Sequence, residues 1–331
     1  MKLAVLGAGA WGTALAISLS QKHTVNLWGR SAEQTGQLAK SRANHRYLPG
    51  ILLPEAVNVE HNLHVALLNA DLSLIATSTT GLAATTALIH QHAPGLPILW
   101  ACKGFDRVTG RLPHETVGQL VGTRADGRYG ALSGPSFALE VAKGLPCALT
   151  LAANDLDFAR DMTAQLNGKT LRIYSSDDLV GVELGGALKN VMAIAAGICD
   201  GMQLGMNARA ALITRGLAEI VRLGVAMGGK PETFMGLAGL GDLVLTATGD
   251  LSRNRTVGMH LAQGESLQAV LDSLGHVAEG VNSAQTALAL AKKYAVDMPI
   301  TEAVNAVLFA NADPRETVGR LLSRDAKAES A

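Results

Sequence analysis

The feature that most constrains the fold is a glycine-rich turn that directly follows a short apolar run near the amino terminus. Residues 3–6 are apolar, and they precede Gly7-Ala8-Gly9-Ala10-Trp11-Gly12, a G-x-G-x-x-G sequence. Between a strand and a helix, the first glycine permits a tight turn, the second admits a pyrophosphate and the third allows close helix packing. The helix N-terminus then offers free N–H groups to phosphates. We predict a dinucleotide-binding loop with Gly7, Gly9 and Gly12 as cofactor-binding residues; a glycine-rich turn without a ligand is the alternative.

Strand-like and helical segments alternate through the first half of the chain. We predict strands at residues 3–6, 24–28, 72–76 and 98–101, further strand candidates at 129–132 and 147–151, and helices at 13–20 and 82–90. Such alternation is typical of parallel strands in a doubly wound sheet of the α/β class.

The pattern changes near residue 180, where long Ala-rich helical segments begin. We predict helices at residues 184–198, 208–223, 267–274 and 284–294. At about 150 residues per domain, a chain of 331 residues is long enough for two domains. We expect an N-terminal Rossmann-type domain at residues 1–179 and a C-terminal all-helical domain at residues 180–331. The cleft between two such domains is the expected active site.

The composition argues against several classes of protein. Lys and Arg total 28, as do Asp and Glu, so the net charge is zero and no overall attraction to nucleic acid or anionic membranes is expected. The three cysteines, Cys102, Cys147 and Cys199, form no CxxC pair, and their odd number favours a reducing compartment without disulfides. Because no Cys/His cluster has the spacing of zinc ligands, we expect no metal site.

One long uncharged stretch has the length of a membrane helix. Residues 72–102 contain no Lys, Arg, Asp or Glu. Ser, Thr, Gly and Pro interrupt the stretch, so a buried strand, a helix and a second buried strand are the better interpretation. The amino terminus lacks the form of a signal peptide, because no cleavage site follows its apolar run. We expect no membrane insertion and a cytoplasmic location.

The end of the second predicted strand bears on the cofactor preference. Chains that bind NAD usually place Asp or Glu there, where it bonds the ribose 2′-hydroxyl. Here the segment reads Asn26-Leu27-Trp28-Gly29-Arg30, and the nearest carboxylate is Glu33. Because arginine can pair with a 2′-phosphate, Arg30 predicts that NADP(H) is favoured over NAD(H), or that both are used. An exposed arginine at a strand end, without a ligand, is the alternative.

A single lysine lies within an otherwise apolar helical segment. Between Glu183 and Asp200, Lys189 is the only charged residue. A helix that is apolar on nearly every face is buried, and lysine is rarely buried without a partner or a task. A buried lysine can have a depressed pKa and act as a general acid. The alternative is a Lys189 side chain that extends to solvent.

Three other parts of the chain carry polar groups in positions suited to a ligand. Asp242 is a lone charge in a Gly-rich apolar stretch, and it either pairs with a buried lysine or caps a helix. Ser252-Arg253-Asn254-Arg255 has the form of a helix start that binds a phosphate, with a solvated basic turn as the alternative. Lys103 and residues 133–138 each follow a predicted strand, and ligands bind at the carboxyl ends of parallel strands. For residues 133–138 a simple turn is the alternative.

Six segments, distributed over most of the chain, match one family in the expected order. They are GAGAWGTALA from Gly7, SGPSFALE from Ser133, GVELGGALKNVMAIAAGI from Gly181, GLAGLGDLVLT from Gly236, SRNR from Ser252 and VAEGV from Val277. In these segments the chain closely resembles the bacterial-type NAD(P)-dependent glycerol-3-phosphate dehydrogenases. Residues 246–250 depart from the family's Cys-containing version, and we assign no chemistry to that stretch.

The resemblance implies an activity and roles for individual residues. The family reversibly reduces dihydroxyacetone phosphate to sn-glycerol 3-phosphate with NAD(P)H, which feeds glycerophospholipid synthesis. Lys189 would be the catalytic residue, donating a proton to the carbonyl oxygen and taking it back in the oxidation. The substrate would be bound by Lys103, Gly134, Ser136, Lys189, Asp242, Ser252, Arg253 and Asn254, with the last three at its phosphate end. The cofactor would be bordered by Ala10, Trp11, Arg30, Lys103, Ala138, Arg253, Val277 and Glu279, in addition to the three loop glycines.

Two other functions are consistent with the same residues. One is another two-domain NADP reductase, of the 6-phosphogluconate or ketopantoate type, which SRNR and GLAGLGDL make the weaker choice. The other is a sensor that binds NADP(H) without turnover, against which a buried Lys189 argues because a sensor would not need it. The sequence does not determine the oligomeric state, and a homodimer is retained as an expectation.

Overall fold

The structure is a computed structural model that describes residues 1–122, 127–274 and 278–324. Its amino-terminal half is built on one sheet. The strands are β1 (Lys2–Leu6), β2 (Thr24–Trp28), β3 (Val57–Glu60), β4 (Leu72–Ile75), β5 (Ile98–Trp100), β6 (Tyr129–Ser133), β7 (Cys147–Ala153) and β8 (Leu171–Ser176). Their order across the sheet is β3-β2-β1-β4-β5-β6-β7-β8, so the chain starts in the interior and winds outward in both directions.

Helices cover both faces of this sheet. They are α1 (Ala10–Leu19), α2 (Ala32–Ser41), α3 (Leu63–Leu67), α4 (Thr79–His92), α5 (Pro113–Val121), α6 (Ala138–Ala142) and α7 (Leu156–Leu166). Along β1, Leu3 and Val5 enter one apolar core while Ala4 and Leu6 enter the other. Strands buried on both faces read as continuous apolar runs. The uncharged stretch 72–102 is accordingly β4, α4 and β5 in succession, as predicted.

The expected parallel pairing is confirmed except at one place. Every neighbouring pair of strands is parallel apart from β6 and β7, in which Ser133 lies opposite Thr150. The segment between these two strands stays at one end of the sheet, because its helix α6 packs on α1. The chain therefore re-enters the sheet from the end at which β6 stops, which the alternation of strands and helices did not predict.

The six predicted strands are all present, with ends that differ by one or two residues. The sequence did not predict β3 and β8. These two are the edge strands of the sheet; β8 alternates between buried and exposed residues over its first four positions, and in β3 only Val57 is buried. They lack the continuous apolar run that marks an interior strand, so nothing distinguished them from loops.

The second half of the described chain is helical, as expected. It contains α8 (Leu179–Gly201), α9 (Gly205–Ala226), α10 (Pro231–Phe234), a π-helical turn (Leu237–Gly241), α11 (Asp242–Thr248), α12 (Arg253–Ala262), α13 (Leu267–Leu274), α14 (Glu279–Lys293), α15 (Pro299–Phe309) and α16 (Pro314–Leu322). The long predicted helices correspond to α8, α9, α13 and α14, and the first two extend further at both ends than predicted.

Helix α8 is the centre of this half. It is buried from Gly181 to Cys199 and packs against α9, α11, α12 and α14. Its contact with α12 is close, because a Cβ on Gly197 would lie 1.9 Å from the carbonyl oxygen of Arg255. The helix is long and apolar enough to cross a membrane, yet nearly all of its most apolar stretch is buried inside the protein. It is therefore the core helix around which the other helices are arranged.

Candidate active site

The glycine-rich loop has the geometry that its sequence predicts. Gly7 has a φ of +125°, and a Cβ there would lie 2.8 Å from the backbone of Ala76. A Cβ on Gly12 would lie 1.9 Å from the carbonyl oxygen of Gly7, so α1 approaches the loop as closely as its backbone allows. A Cβ on Gly9 would meet nothing within 4 Å. The loop therefore leaves open space beside Gly9 at the N-terminus of α1, which begins at Ala10 and fits a bound pyrophosphate.

Two side chains hold this loop from outside, and the sequence analysis missed both. The side-chain amide of Asn44 donates to the carbonyl oxygen of Ala8 at 3.0 Å and to Thr13 Oγ1 at 2.8 Å. The Gln34 amide donates to the same carbonyl at 2.9 Å. A sequence pattern gives no signal for them, because the contacts join residues 26 and 36 positions apart. They fix the loop in the shape that α1 and β1 define.

The remaining cofactor predictions fall in several parts of the chain. Arg30 is exposed, two residues beyond the end of β2, which is the position expected both for pairing with a 2′-phosphate and for an arginine without a ligand. Trp11 and Ala138 are partly buried and pack against the same apolar core, where α6 meets α1. Val277 lies outside the described residues, and Glu279 is the first residue of α14.

Lys189 is buried in the middle of α8, with an exposed fraction of 8%. Its ammonium donates to Asp242 Oδ1 and, at 2.9 Å, to Thr246 Oγ1. The alternative of a lysine that extends to solvent is therefore wrong. Thr246 is the first residue of segment 246–250, for which no chemical role was predicted from the sequence. Its position four residues after Asp242, on the same face of α11, was the available signal.

Asp242 also binds a second lysine. Lys103 follows β5, and its ammonium donates to Asp242 Oδ2 at 2.6 Å and to the carbonyl oxygen of Gly134 at 3.0 Å. Asp242 has an exposed fraction of 0% and is the first residue of α11, while Gly241 precedes the helix. Of the two alternatives for Asp242, pairing with a buried lysine is the one observed.

The surroundings of Lys189 change its acidity. Burial lowers the pKa of its ammonium, the carboxylate of Asp242 raises it, and the positive charge of Lys103 lowers it; together these effects bring the pKa from 10.5 to about 8. A lysine with a pKa near neutrality can both lose and gain a proton at physiological pH. The site thus holds a proton donor whose partner, Asp242, is fixed by two ammonium groups.

The segment after β6 provides a bend beside Lys103. Gly134 has a φ of +140°, and a Cβ there would lie 3.1 Å from the backbone of Ala148 and Leu149. The carbonyl oxygen of Gly134 accepts both the Lys103 ammonium and the hydroxyl of Ser136 at 3.0 Å. Gly134 therefore lies at Lys103, with Ser136 bonded to it, and their predicted role in substrate binding stays a prediction.

The predicted helix start at Ser252 is present. Ser252 is buried and caps α12, since its Oγ accepts the backbone N–H of Arg255 at 3.3 Å. Arg255 itself is held by Asp200 at 2.7 Å and by Asp250 at 3.0 Å. Arg253, by contrast, is exposed at the first position of the helix. This arrangement leaves Arg253 as the cation available to an anion at the N-terminus of α12.

Asn254 connects three helices. Its amide nitrogen donates to Asn190 Oδ1 at 2.9 Å, and its Oδ1 accepts the backbone N–H of Gly280 at 3.0 Å. Asn190 follows Lys189 in α8, and Gly280 follows Glu279 in α14. The side chain of Asn254 therefore connects the predicted phosphate end to the helix that carries Lys189 and to the helix that begins at Glu279.

Glu279 lies among the cations of the site. Burial raises the pKa of its carboxyl group, and the charges of Arg253, Lys189 and Lys103 oppose that rise. Among residues 1–122, 127–274 and 278–324, no group of three or more His, Cys, Asp or Glu side chains could hold a metal ion. Independently of that, the buried ammonium of Lys189 can stabilise and protonate a developing oxyanion.

Comparison with known proteins agrees with this geometry. The model of the NAD-dependent glycerol-3-phosphate dehydrogenase N-terminus matches residues 2–159, and the model of the C-terminus matches residues 178–319. A protein of Dechloromonas aromatica named glycerol-3-phosphate dehydrogenase (NAD(P)+) is 54% identical over 331 residues, which is 100% of both chains. A protein of the same name from Ralstonia nicotianae is 57% identical over 336 residues, covering 100% of this chain and 99% of the relative.

A solved structure is similar along the same length. The crystal structure of glycerol-3-phosphate dehydrogenase from Coxiella burnetii matches with a TM-score of 0.92 at 41% identity, covering 98% of this chain and 99% of that one. Sequence, fold and site geometry lead to the same conclusion: the chain belongs to the family of NAD-dependent glycerol-3-phosphate dehydrogenases.

Proposed function

We propose that this chain catalyses the reversible, NAD(P)H-dependent reduction of dihydroxyacetone phosphate to sn-glycerol 3-phosphate, and so supplies glycerophospholipid synthesis. The observation that carries the proposal is the buried ammonium of Lys189, bonded to Asp242 beside Lys103. Family membership and full-length relatives named for this activity support it. A sensor would have no need of a lysine whose pKa burial holds near 8.

The cofactor would be held at the glycine-rich loop. The open space beside Gly9 and the close backbone approach at Gly12 fit a pyrophosphate at the N-terminus of α1. Ala10, Trp11, Ala138 and Glu279 would border the cofactor, as would Val277. Arg30 would face the ribose, where an arginine favours NADP(H) while NAD(H) remains usable. When bound, the nicotinamide supplies the hydride for carbon 2 of the substrate.

Lys189 would act as general acid in the reduction and as general base in the oxidation. As carbon 2 is reduced, negative charge develops on the carbonyl oxygen of the substrate. The ammonium of Lys189 would stabilise that charge and then transfer its proton to the oxygen. Asp242 and Thr246 would hold Lys189 in place for this transfer. In the oxidation, the neutral amine of Lys189 would take the proton back.

The substrate would be held at both ends. Lys103 would contact it beside the reacting carbonyl, together with Gly134 and Ser136, and Lys103 would contact the cofactor as well. Ser252, Arg253 and Asn254 would hold the phosphate, and Arg253 would also lie near the cofactor. Binding energy from the phosphate, remote from the carbonyl, can orient the reacting carbon.

Three further points belong to the proposal. The division into domains 1–179 and 180–331 is supported by the end of β8 at Ser176 and the start of α8 at Leu179. A cytoplasmic location is supported by three free cysteines. A homodimer remains the expected assembly.

The decisive experiment follows NADPH absorbance after purified protein is mixed with dihydroxyacetone phosphate, with NADH in a parallel cuvette. Rapid loss of NADPH with stoichiometric glycerol 3-phosphate is expected. No loss in either cuvette, from folded protein that still binds NADPH, would overturn the proposed activity. That outcome would favour another substrate or a sensor.

A further inference from the structure

Besides Asp242 in α11, the protein buries a carboxylate in α8, that of Glu183. Glu183 has an exposed fraction of 6%. Its Oε1 accepts the indole N–H of Trp100 and the backbone N–H of His114, each at 3.0 Å. Its Oε2 lies 2.5 Å from His114 Nδ1. All three donors belong to the amino-terminal half, so this one side chain bonds α8 to the sheet and to α5.

A buried carboxylate of this kind is costly to maintain. Burial raises the pKa of Glu183, because the charged form is poorly solvated there, while the hydrogen bonds and charge of His114 oppose the rise. Replacing a buried ionic pair by apolar groups is often neutral or stabilising. A gain in stability therefore does not explain why a carboxylate occupies position 183. What Glu183 contributes is the relative placement of the elements that it bonds.

The elements joined by Glu183 are the two that carry the lysines. Trp100 is the last residue of β5, and Lys103 follows it by three positions. Lys189 follows Glu183 by six positions in α8. Asp242 accepts hydrogen bonds from both lysines, and it belongs to the helical half together with Lys189. The placement of Lys103 therefore depends on how β5 is aligned with α8.

The charges with the largest effects on the pKa of Lys189 are those of Asp242, Lys103 and Glu279, from α11, the end of β5 and α14. Glu183 is bonded to Trp100 and His114, so we expect it to influence the ammonium of Lys189 through the alignment of β5 with α8. This separates a positional role from an electrostatic one.

We infer that Glu183, bonded by Trp100 and His114, is a positioning residue that sets the placement of Lys103 relative to Lys189 across Asp242. The kinetic consequence rests on the proposed function, whereas the structural consequence does not. Replacing Glu183 by leucine removes every acceptor and leaves the Lys189–Asp242 bond, which lies within the helical half. Only Lys103 is expected to move.

The expected result for Glu183→Leu has two parts. The kcat of the reduction falls about tenfold to a hundredfold, because a displacement of about 1 Å at a catalytic group has effects of that size. The Kd for NADPH rises by less than about threefold, because the glycine-rich loop keeps its geometry and Lys103 would be one cofactor contact among several. The pKa of Lys189 rises above its wild-type value, because the positive charge of Lys103, which lowers it, moves away.

Conservative variants separate geometry from charge. In Glu183→Gln, Oε1 can still accept both N–H groups and the amide can donate to a neutral His114, so kcat should stay within about threefold of wild type. Asparagine at position 114 places an amide N–H near the site of Nδ1, so His114→Asn should retain more activity than His114→Ala. Trp100→Phe keeps the ring and removes one donor. It gives an intermediate loss and serves as the second variant if Glu183→Leu does not fold.

Another buried carboxylate provides the matched control. Glu219 accepts the backbone N–H groups of Ile300 and Thr301 at 2.6 and 3.1 Å, and it lies within the helical half. Glu219→Leu should lower the thermal midpoint without changing kcat per folded enzyme or the pKa of Lys189. A general loss of stability is thereby distinguished from a loss of positioning.

The test measures the pKa of Lys189 directly, by NMR titration of protein labelled with 13C at the lysine ε-carbons and assigned with Lys189→Arg. Steady-state kcat, KM and pH profiles are measured on the same samples. A raised Lys189 pKa in Glu183→Leu, with a near-normal value in Glu183→Gln, supports the inference. An unchanged pKa and kcat in folded Glu183→Leu overturns it, as does a Glu183→Gln variant equal to Glu183→Leu. If the wild type does not reduce dihydroxyacetone phosphate, the proposed function fails, and the NMR titration still decides the positioning role.

Discussion

Lys103 and Lys189 come from different halves of the chain, yet they donate hydrogen bonds to the two oxygens of one carboxylate. Asp242 Oδ2 accepts a hydrogen bond from the ammonium of Lys103, and Asp242 Oδ1 accepts one from the ammonium of Lys189. With Arg253 and Glu279, which interact with these groups, three positive charges face two negative charges and the site is net positive. A site of that sign favours the negative charge that develops on a carbonyl oxygen during hydride addition.

Removing the lysine ammonium should abolish most of the turnover. We expect Lys189→Ala to lower kcat by about a thousandfold, within the range of general acid catalysis, and to leave the Kd for NADPH unchanged. Stopped-flow absorbance gives the first quantity and fluorescence titration the second. Lys230→Ala, which removes an exposed lysine paired with Asp177, is the control. Turnover like that of the wild type would remove Lys189 from the mechanism.

The two directions of the reaction should respond oppositely to pH. Burial holds the pKa of Lys189 at about 8, so the ammonium required for reduction is lost as pH rises through that value. We expect kcat for reduction to fall above about pH 8, and kcat for glycerol 3-phosphate oxidation to rise over the same interval. Profiles recorded in both directions at constant ionic strength check this. Parallel profiles would show that another group titrates.

Much of the fold and part of the site were predictable from local patterns. The glycine-rich loop, the six interior strands and the buried Lys189 each follow from spacing or from a lone charge in an apolar segment. The edge strands β3 and β8 were missed because they are half exposed. The roles of Asn44 and Thr246 were missed because they depend on contacts between distant segments. The same holds for Trp100 and His114, the two residues that donate hydrogen bonds to Glu183.

Arg30 should determine the preference between the cofactors. We expect Arg30→Asp to lower the ratio of kcat/KM for NADPH to that for NADH by about tenfold or more, because a carboxylate repels the 2′-phosphate and bonds the 2′-hydroxyl. Arg160→Asp makes the same change of charge on α7 and should leave the ratio unchanged. An unaltered ratio in Arg30→Asp would mean that this arginine does not face the ribose.

Arg253 should act on substrate binding more than on chemistry. Its guanidinium is exposed at the N-terminus of α12, so its contact with the phosphate would exist before and during the reaction. We expect Arg253→Ala to raise KM for dihydroxyacetone phosphate by about tenfold to a hundredfold, the effect of losing a hydrogen bond to a charged group. Arg160→Ala is the matched control. An unchanged KM contradicts the assignment.

Replacing two glycines of the same loop by alanine should affect different properties, stability in one case and NADPH binding in the other. A methyl group on Gly12 would collide with the carbonyl oxygen of Gly7, so Gly12→Ala should lower the free energy of unfolding by about 1–3 kcal/mol or more. A methyl group on Gly9 meets only open space, so Gly9→Ala should fold normally and weaken NADPH binding by about tenfold. Urea denaturation and fluorescence titration separate the two effects. Equal stability losses in both variants would contradict this interpretation.

The bond between Lys103 and Asp242 joins residues 139 positions apart. Contacts of such long range are made only after the intervening chain has been ordered, because closing a long loop must precede any gain from the contact. The glycine-rich loop, in contrast, is formed by residues 7–12 and held by contacts with Gln34, Asn44 and Ala76, all within the first 76 residues. During refolding, the ability to bind a dinucleotide should therefore return before the ability to turn it over, and the lag between them measures the docking of the two halves.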